Sequence, residues 1–405
     1  MGAIKPYQPV VQTYIKDCRR DINADQNAIA NPPDRYQYDN PDQTSKWQGV
    51  RYAIAQGPSM VPASINGIEK AIKFNFQTLE TACKIASQYN VQLITFPELF
   101  LTGYQFPQNP AVPKAAAKFI QSNNYHQKIQ DIANTQAINV VCPMPYSGKD
   151  PADNEGVYDV AMIFQPNGAP PTDIRENIQF KLHLWGQEEK KWFSIPKYPP
   201  LEEATDNNYQ NYKNPFRVHL LNGFPVGIGI CYDAEFPEMA RCFALNGSLL
   251  TVFPTAAPLS KPPKNESKSE NNSEVEIYLN YPNISQYHIP AAAQANLNFC
   301  SYSNRTGWEY STDGAKEQKV LSYDGNSIIC NTYGKAMVTA VTNNKDCLLI
   351  ADCLKKDIIN PQNPDPGKDD TGVNYLINRR PEIYTVLTKT EKVPFPYGEQ
   401  HTYPS

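Results

Sequence analysis

Apolar residues recur along this chain with two periods, and the switches between them outline its elements. Val50 to Gln56 (VRYAIAQ) alternates as a strand. Ile68, Ile72, Phe76, Leu79, Cys83 and Ala86 then fall at helical spacing and predict a long amphipathic helix. VQLITFPE is a short buried strand that stops at Pro97-Glu98, a second helix is predicted over Pro113 to Thr135, and AINVVCPMP returns to strand. VYDVAMIFQPNG reads as strand and turn, and it is followed by IRENIQFKLHLWG. Further on come the strand FPVGIGICYD, a helix from Pro237 to Asn246, the strand SLLTVFPT, and a helix HIPAAAQANLNF running into the strand NFCSYSN. GNSIICNTYGKAMVTAV predicts a hairpin turning at Tyr333-Gly334, and CLLIADC is a last strand. Strands alternate with helices early and pair as hairpins later. The expectation is an α/β fold with mixed sheets in one domain.

The polar stretches mark the edges. The first fifty residues are rich in Asn, Asp, Gln and Pro and read as an extension without a core of its own. The ordered pattern covers 51–353. It is interrupted by a polar segment at about 259–286 (LSKPPKNESKSENNSEVEIYLNYPNISQ), expected as an exposed loop near the catalytic strand ends. Residues 354–405 form a proline-rich tail. No internal repeat stands out.

Composition narrows the function. The net charge of −4 offers nothing to nucleic acid or an anionic membrane. No apolar run approaches the roughly 18 residues of a membrane span. The N-terminus lacks the charged start and apolar stretch of a secretory leader, and Pro stands where a myristoylation motif takes Ser or Thr. Nine cysteines with no CxxC pair, and only five scattered histidines, argue against a zinc site and for reduced thiols in a cytoplasm. No metal or cofactor is expected.

Three stretches share a layout that packing does not require. LITFPELFLTGY ends an apolar strand on Glu98, IQFKLHLWGQEEKKWF ends another on Lys181, and GIGICYDAEFPE ends a third on Cys231. In α/β folds such strand ends converge on the ligand crevice. A carboxylate, an amine and a thiol delivered there supply a nucleophile, a base and an electrostatic partner. The competing reading of each is bland: a buried cysteine is usually filler, and a charge at a strand end is usually solvated. Cys142, Cys242, Cys300 and Cys330 do read as core. His183 reads as a packing and hydrogen-bonding residue rather than a base.

With these blocks the sequence resembles the nitrilase superfamily of carbon–nitrogen hydrolases, whose catalytic trio is Glu-Lys-Cys. The matching blocks run from about Arg51 to Asp352 and include FPT at Phe253, NRTG at Asn304 and YDGNSII at Tyr323. The resemblance implies a four-layer α-β-β-α sandwich with two mixed sheets, and a homodimer or higher homo-oligomer. It implies Cys231 as nucleophile, Glu98 as general base and acid, and Lys181 at the oxyanion, where the backbone N–H of Tyr232 would help. Lys181 would also favour a thiolate on Cys231. A second glutamate after the lysine is expected. Glu188 and Glu189 both fall at workable spacing, and Glu188 is preferred. Tyr104, Trp185, Glu235 and Phe236 are candidate substrate contacts, with the Trp185 ring lining the pocket. CYDAEFPE resembles the amidase-type members, so the expected reaction is hydrolysis of a small carboxamide to carboxylate and ammonia. Nitrile and N-carbamoyl hydrolysis are the enzymatic alternatives. A biosynthetic acyl transfer to an amine, or a non-catalytic assembly protein, would be other uses of the same fold. One departure stands out: in AAAQAN, Ala292 and Ala295 occupy positions where the family often carries charge.

Overall fold

The computed structural model describes residues 6–15, 49–167, 173–199, 211–258, 284–340 and 345–354, with short pieces at 357–358 and between 375 and 401. In chain order the first compact unit contains β1 (Val10–Tyr14), β2 (Gly49–Gln56), β3 (Met60–Pro62), α1 (Ile68–Gln88), β4 (Leu93–Thr95), α2 (Ala111–Ser122), α3 (Tyr125–Gln136), β5 (Asn139–Lys149), β6 (Glu155–Phe164), β7 (Ile178–Phe180) and α4 (Gly186–Trp192). It continues with β8 (Val218–Leu221), β9 (Phe224–Ile228), α5 (Pro237–Leu245), β10 (Leu250–Pro254), α6 (Ile289–Asn296), β11 (Phe299–Ser303), β12 (Thr306–Thr312), β13 (Glu317–Asp324), β14 (Ile328–Cys330), β15 (Ala336–Thr339) and β16 (Cys347–Leu354). A second unit, Gln362–Ser405, contains the short 3₁₀ turns Pro381–Ile383 and Thr385–Thr388 and a pairing of Val393–Pro394 with Gln400–His401. Of the polar segment at 259–286, residues 259–283 lie outside the described residues.

Two sheets carry the fold. One has the order β1-β16-β2-β4-β5-β6-β7 and the other β15-β14-β11-β10-β9-β8. Both are mixed. β2, β4 and β5 run parallel, as do β9, β10 and β11, while the flanking hairpins are antiparallel. Their side chains sort by parity, as strand geometry demands. Ala53 and Ala55 of β2 pack with Ile72 and Leu79 of α1 and with the apolar faces of α2 and α3. Val50, Tyr52 and Ile54 face the other way and share a core with Val226, Ile228 and Val252 of the second sheet. Phe253, Cys300 and Ile328 lie on that sheet's far face, under Ala240 of α5 and Ile289 and Ala293 of α6. The layers therefore follow as helices, sheet, sheet, helices. The Tyr52 hydroxyl, buried between the sheets, is satisfied from both sides by Thr95 at 2.6 Å and Ser301 at 2.9 Å. Across β2 and β16, Arg51 is paired in register with Asp352 and bonds it with two nitrogens, at 2.7 and 3.1 Å.

One expectation is revised. The helix over Pro113 to Thr135 is two helices, because the chain turns at Asn123-Asn124, with Asn124 in the left-handed region at φ 56°. Asn tolerates that conformation where most residues do not. Part of the N-terminal extension packs on the domain. Val10–Tyr14 adds a parallel edge strand to β16, and the buried Tyr7 hydroxyl donates to the Cys347 carbonyl at 3.1 Å. At the AAAQAN segment Arg241 of α5 donates to the Ala295 carbonyl at 2.9 Å.

Candidate active site

The nucleophile strand explains its own glycines. A Cβ on Gly227 would lie 2.7 Å from the Phe243 ring, and one on Gly229 would lie 2.6 Å from the Phe253 ring. Only hydrogen fits there, so β9 can sit close beneath α5 and beside β10. The chain then turns sharply into the 3₁₀ segment Cys231–Glu235, with Cys231 at φ 51°. A non-glycine residue in that region is strained and persists only where its surroundings hold it. Asp233 does the holding. Its buried carboxylate accepts the Ile230 N–H at 2.8 Å, and from the Lys181 loop the His183 N–H at 3.0 Å and Nδ1 at 2.8 Å. One aspartate thus ties the cysteine turn to the lysine turn. His183 in turn stacks on Phe236, with centroids 4.0 Å apart.

Glu98 follows β4 and precedes Leu99, itself at φ 45°. Its backbone carbonyl accepts from the buried Arg305 guanidinium of the NRTG block. Glu309, one turn of strand further, lies 3.7 Å from Arg305 and accepts the Tyr104 and Gln105 N–H groups at 2.8 and 2.9 Å. Together Arg305 and Glu309 brace the loop that carries Glu98.

Lys181 closes the arrangement. Its Nζ is 2.5 Å from Glu98 Oε1 and 2.8 and 2.7 Å from the two oxygens of Glu189. Glu98, Lys181 and Glu189 are at most 1% exposed. Glu98, Lys181 and Glu189 all act electrostatically on the Cys231 thiol, which also accepts the Ala256 N–H. Burial pushes that thiol well above its ordinary range, Glu98 pushes it further, and Lys181 only partly opposes them. Desolvation thus outweighs the pull of Lys181 toward a thiolate. For Lys181 itself burial disfavours the charge, but Glu189, Glu98, Cys231 and Asp159 more than compensate and its amine is held well above its usual range.

The preference for Glu188 is also overturned. Glu188 is half-buried and bonds Gln108 and Lys191 at the surface, whereas Glu189 is buried and grips Lys181, the Trp185 N–H at 2.7 Å and the Tyr104 hydroxyl at 2.7 Å. Adjacent residues on α4 point about 100° apart, so only one can face inward. Trp185 contributes its backbone N–H, while its ring stands 46% exposed. Tyr104 is buried and spends its hydroxyl on Glu189. Glu235 and Phe236 are half-buried beside Tyr232, and burial raises Glu235. Sequence reasoning missed Asp159, Asp233, Ala256 and Glu309. A signal existed for the first: Asp159 is an acid within an otherwise apolar stretch of β6, VYDVAMIF.

Among the described residues no three His, Cys, Asp or Glu side chains are placed to hold a metal ion, and no helix is long and apolar enough to cross a membrane. The chain is 26% identical over 340 residues to a Pseudomonas protegens protein named "Hydrolase in pqqF 5'region", covering 84% of this chain and 92% of that one. It is 26% identical to the N-carbamoylputrescine amidase of Oryza sativa subsp. japonica, covering 77% and 89%. Its fold is similar to the crystal structure of an amidase from Nesterenkonia sp., with a TM-score of 0.55 at 23% identity over 84% of this chain and 97% of that one. The family profile described as carbon-nitrogen hydrolase matches residues 51–360. With that match over most of its length, the chain belongs to the carbon–nitrogen hydrolase family, the nitrilase superfamily.

Proposed function

We propose that this chain hydrolyses a small carboxamide through a thioester on Cys231. The observation that carries the reading is the buried Lys181 held between Glu98 and Glu189, with all three charges acting on one strained cysteine. Glu98 takes the thiol proton as sulfur attacks the carbonyl carbon, and the carbonyl oxygen becomes an oxyanion. Lys181 and the Tyr232 N–H stabilise that oxyanion, and donors fixed in advance cost no reorganisation. As the tetrahedral adduct collapses the C–N bond breaks, and Glu98 returns the proton to the leaving nitrogen. Ammonia departs and a thioester remains. Water then attacks the thioester, Glu98 takes one of its protons and gives it to sulfur as the C–S bond breaks, and the carboxylic acid leaves and loses its remaining proton to solvent.

Hydrolysis of an N-carbamoyl compound is the second reading, favoured by the amidase relative from rice. The test is ammonia release across a panel of carboxamides, nitriles and N-carbamoyl amines. Turnover of carboxamides above the other classes is the expected result. Turnover confined to carbamoyl compounds would replace the first reading with the second. No turnover, with Cys231 no more readily alkylated than the other cysteines, would favour a non-catalytic role.

A further inference from the structure

Asp159 stands beside the trio and has no part in the reaction as written. It lies on the face of β6 that also carries Ala161 and Ile163, which point between the sheets. It is 2% exposed, and its Oδ2 is 3.8 Å from Lys181 Nζ. Both of its carboxyl oxygens are buried without a hydrogen-bond partner, and so is Oε2 of Glu98. Yet the Asp159 and Glu98 side chains are within hydrogen-bonding reach of each other. Two ionised carboxylates cannot bond, since neither has a donor. One proton between them would satisfy both sets of orphaned atoms.

Charge points the same way. Three buried carboxylates, Glu98, Asp159 and Glu189, face the single ammonium of Lys181. Arg305, the nearby guanidinium, is set against Glu309 and the Glu98 backbone. With all three acids ionised, two negative charges would stand uncompensated among buried side chains, and such sites retain a proton instead. Glu189 already has four donors on its two oxygens, so it has no need of that proton. The groups that face Asp159 are Glu98 from the loop after β4, Lys181 from the end of β7 and Glu189 from α4. Burial first and Glu98 second favour its neutral form, against Lys181.

We infer that Asp159 is a positioning residue for Glu98: a neutral carboxylic acid at neutral pH that donates its proton in a hydrogen bond to Glu98 Oε2. The inference rests on the reading of Glu98 as the base. Asp159 does not exchange this proton with substrate. It fixes the plane of the Glu98 carboxylate, while Lys181 holds the other oxygen.

Two variants of the full chain test this. Asp159→Asn keeps shape and a donor but cannot ionise. Asp159→Leu keeps bulk and removes the donor, leaving Glu98 Oε2 unsatisfied. The expected results at neutral pH are turnover within about threefold of wild type for Asp159→Asn, and a loss of about ten- to a hundredfold in kcat at near-constant KM for Asp159→Leu. An infrared difference spectrum of wild type against Asp159→Asn should show the carbonyl stretch of a buried protonated carboxyl, lost in the variant. That measurement needs no substrate, so it stands if carboxamide hydrolysis fails, and it still decides the matter if Asp159→Leu does not fold. The inference is overturned if no protonated-carboxyl band separates the two proteins, or if Asp159→Asn is as impaired as Asp159→Leu, which would mean that an ionised aspartate is required.

Discussion

Replacing Glu189 with Gln would change one atom of a group on which four donors converge. Its Oε1 accepts from Lys181 at 2.8 Å and Tyr104 at 2.7 Å, and its Oε2 accepts from Lys181 at 2.7 Å and Trp185 at 2.7 Å. A glutamine amide has one oxygen. Whichever way it turns, one Lys181 contact and one neutral donor face an NH2 group. The first loss costs about 1.5–3 kcal/mol and the second about 1. Their sum reaches the lower part of the roughly 3–5 kcal/mol seen when a buried ion pair is broken from one side. A loss of about 3 kcal/mol should lower Tm by several degrees in a domain of this size. Lys181 would also be held less firmly at the oxyanion, where one donor is worth about 10²–10³ in kcat. Glu188→Gln is the control, because Glu188 is only half-buried and makes its bonds at the surface, and a surface change of this kind usually stays within about 0.5 kcal/mol. The assay is ammonia release from the best amide, with calorimetric Tm for each variant. If Glu188→Gln falls as far as Glu189→Gln, or if Glu189→Gln keeps near wild-type turnover, the assignment of the second glutamate is wrong.

Other outcomes follow from the same geometry. Cys231→Ala should abolish turnover while the melt stays near that of wild type. Glu98→Gln should lose at least about a thousandfold, since general acid–base catalysis is typically worth about 10²–10⁴ and this residue serves both half-reactions; near wild-type rates would exclude it as the base. Gly229→Ala should cost about 1–3 kcal/mol, because its methyl would press on the Phe253 ring, and an unchanged Tm would refute that contact. Burial pulls His126 down to about 4, against about 6.5 in the unfolded chain. Between those values the unfolded state binds more protons, so this contribution to stability is full above about pH 6.5 and is lost as pH falls through about 4. His126→Gln should flatten that part of the Tm-against-pH curve, and an unaltered slope would count against it. The chain is expected to form a dimer or larger homo-oligomer, and light scattering that finds a monomer at micromolar concentration would refute this.

Much of the architecture was legible because burial leaves a periodic trace. Strands such as Val50 to Gln56 and the 68–86 helix stripe show their inward faces in the order of residues alone, and their boundaries appear within a few positions. Glu98, Lys181 and Cys231 were legible for a related reason. Each interrupts an apolar run where the strand must end, and no packing need explains a reactive group there. Other features depend on an angle or on contacts between distant segments. Glu188 and Glu189 are neighbours in sequence, and only the rotation of α4 decides which meets Lys181. The turn at Asn123-Asn124 rests on one left-handed residue inside a continuous helical pattern. Asp233, Arg305 and Glu309 act through bonds to segments far away in the chain, which periodicity does not record. The state of the thiol was decided by tertiary structure as well. A thiol needs a base at neutral pH and a nearby lysine pulls it toward thiolate, but the balance turns on how much water is removed and how many carboxylates share the space, and only the folded chain sets both.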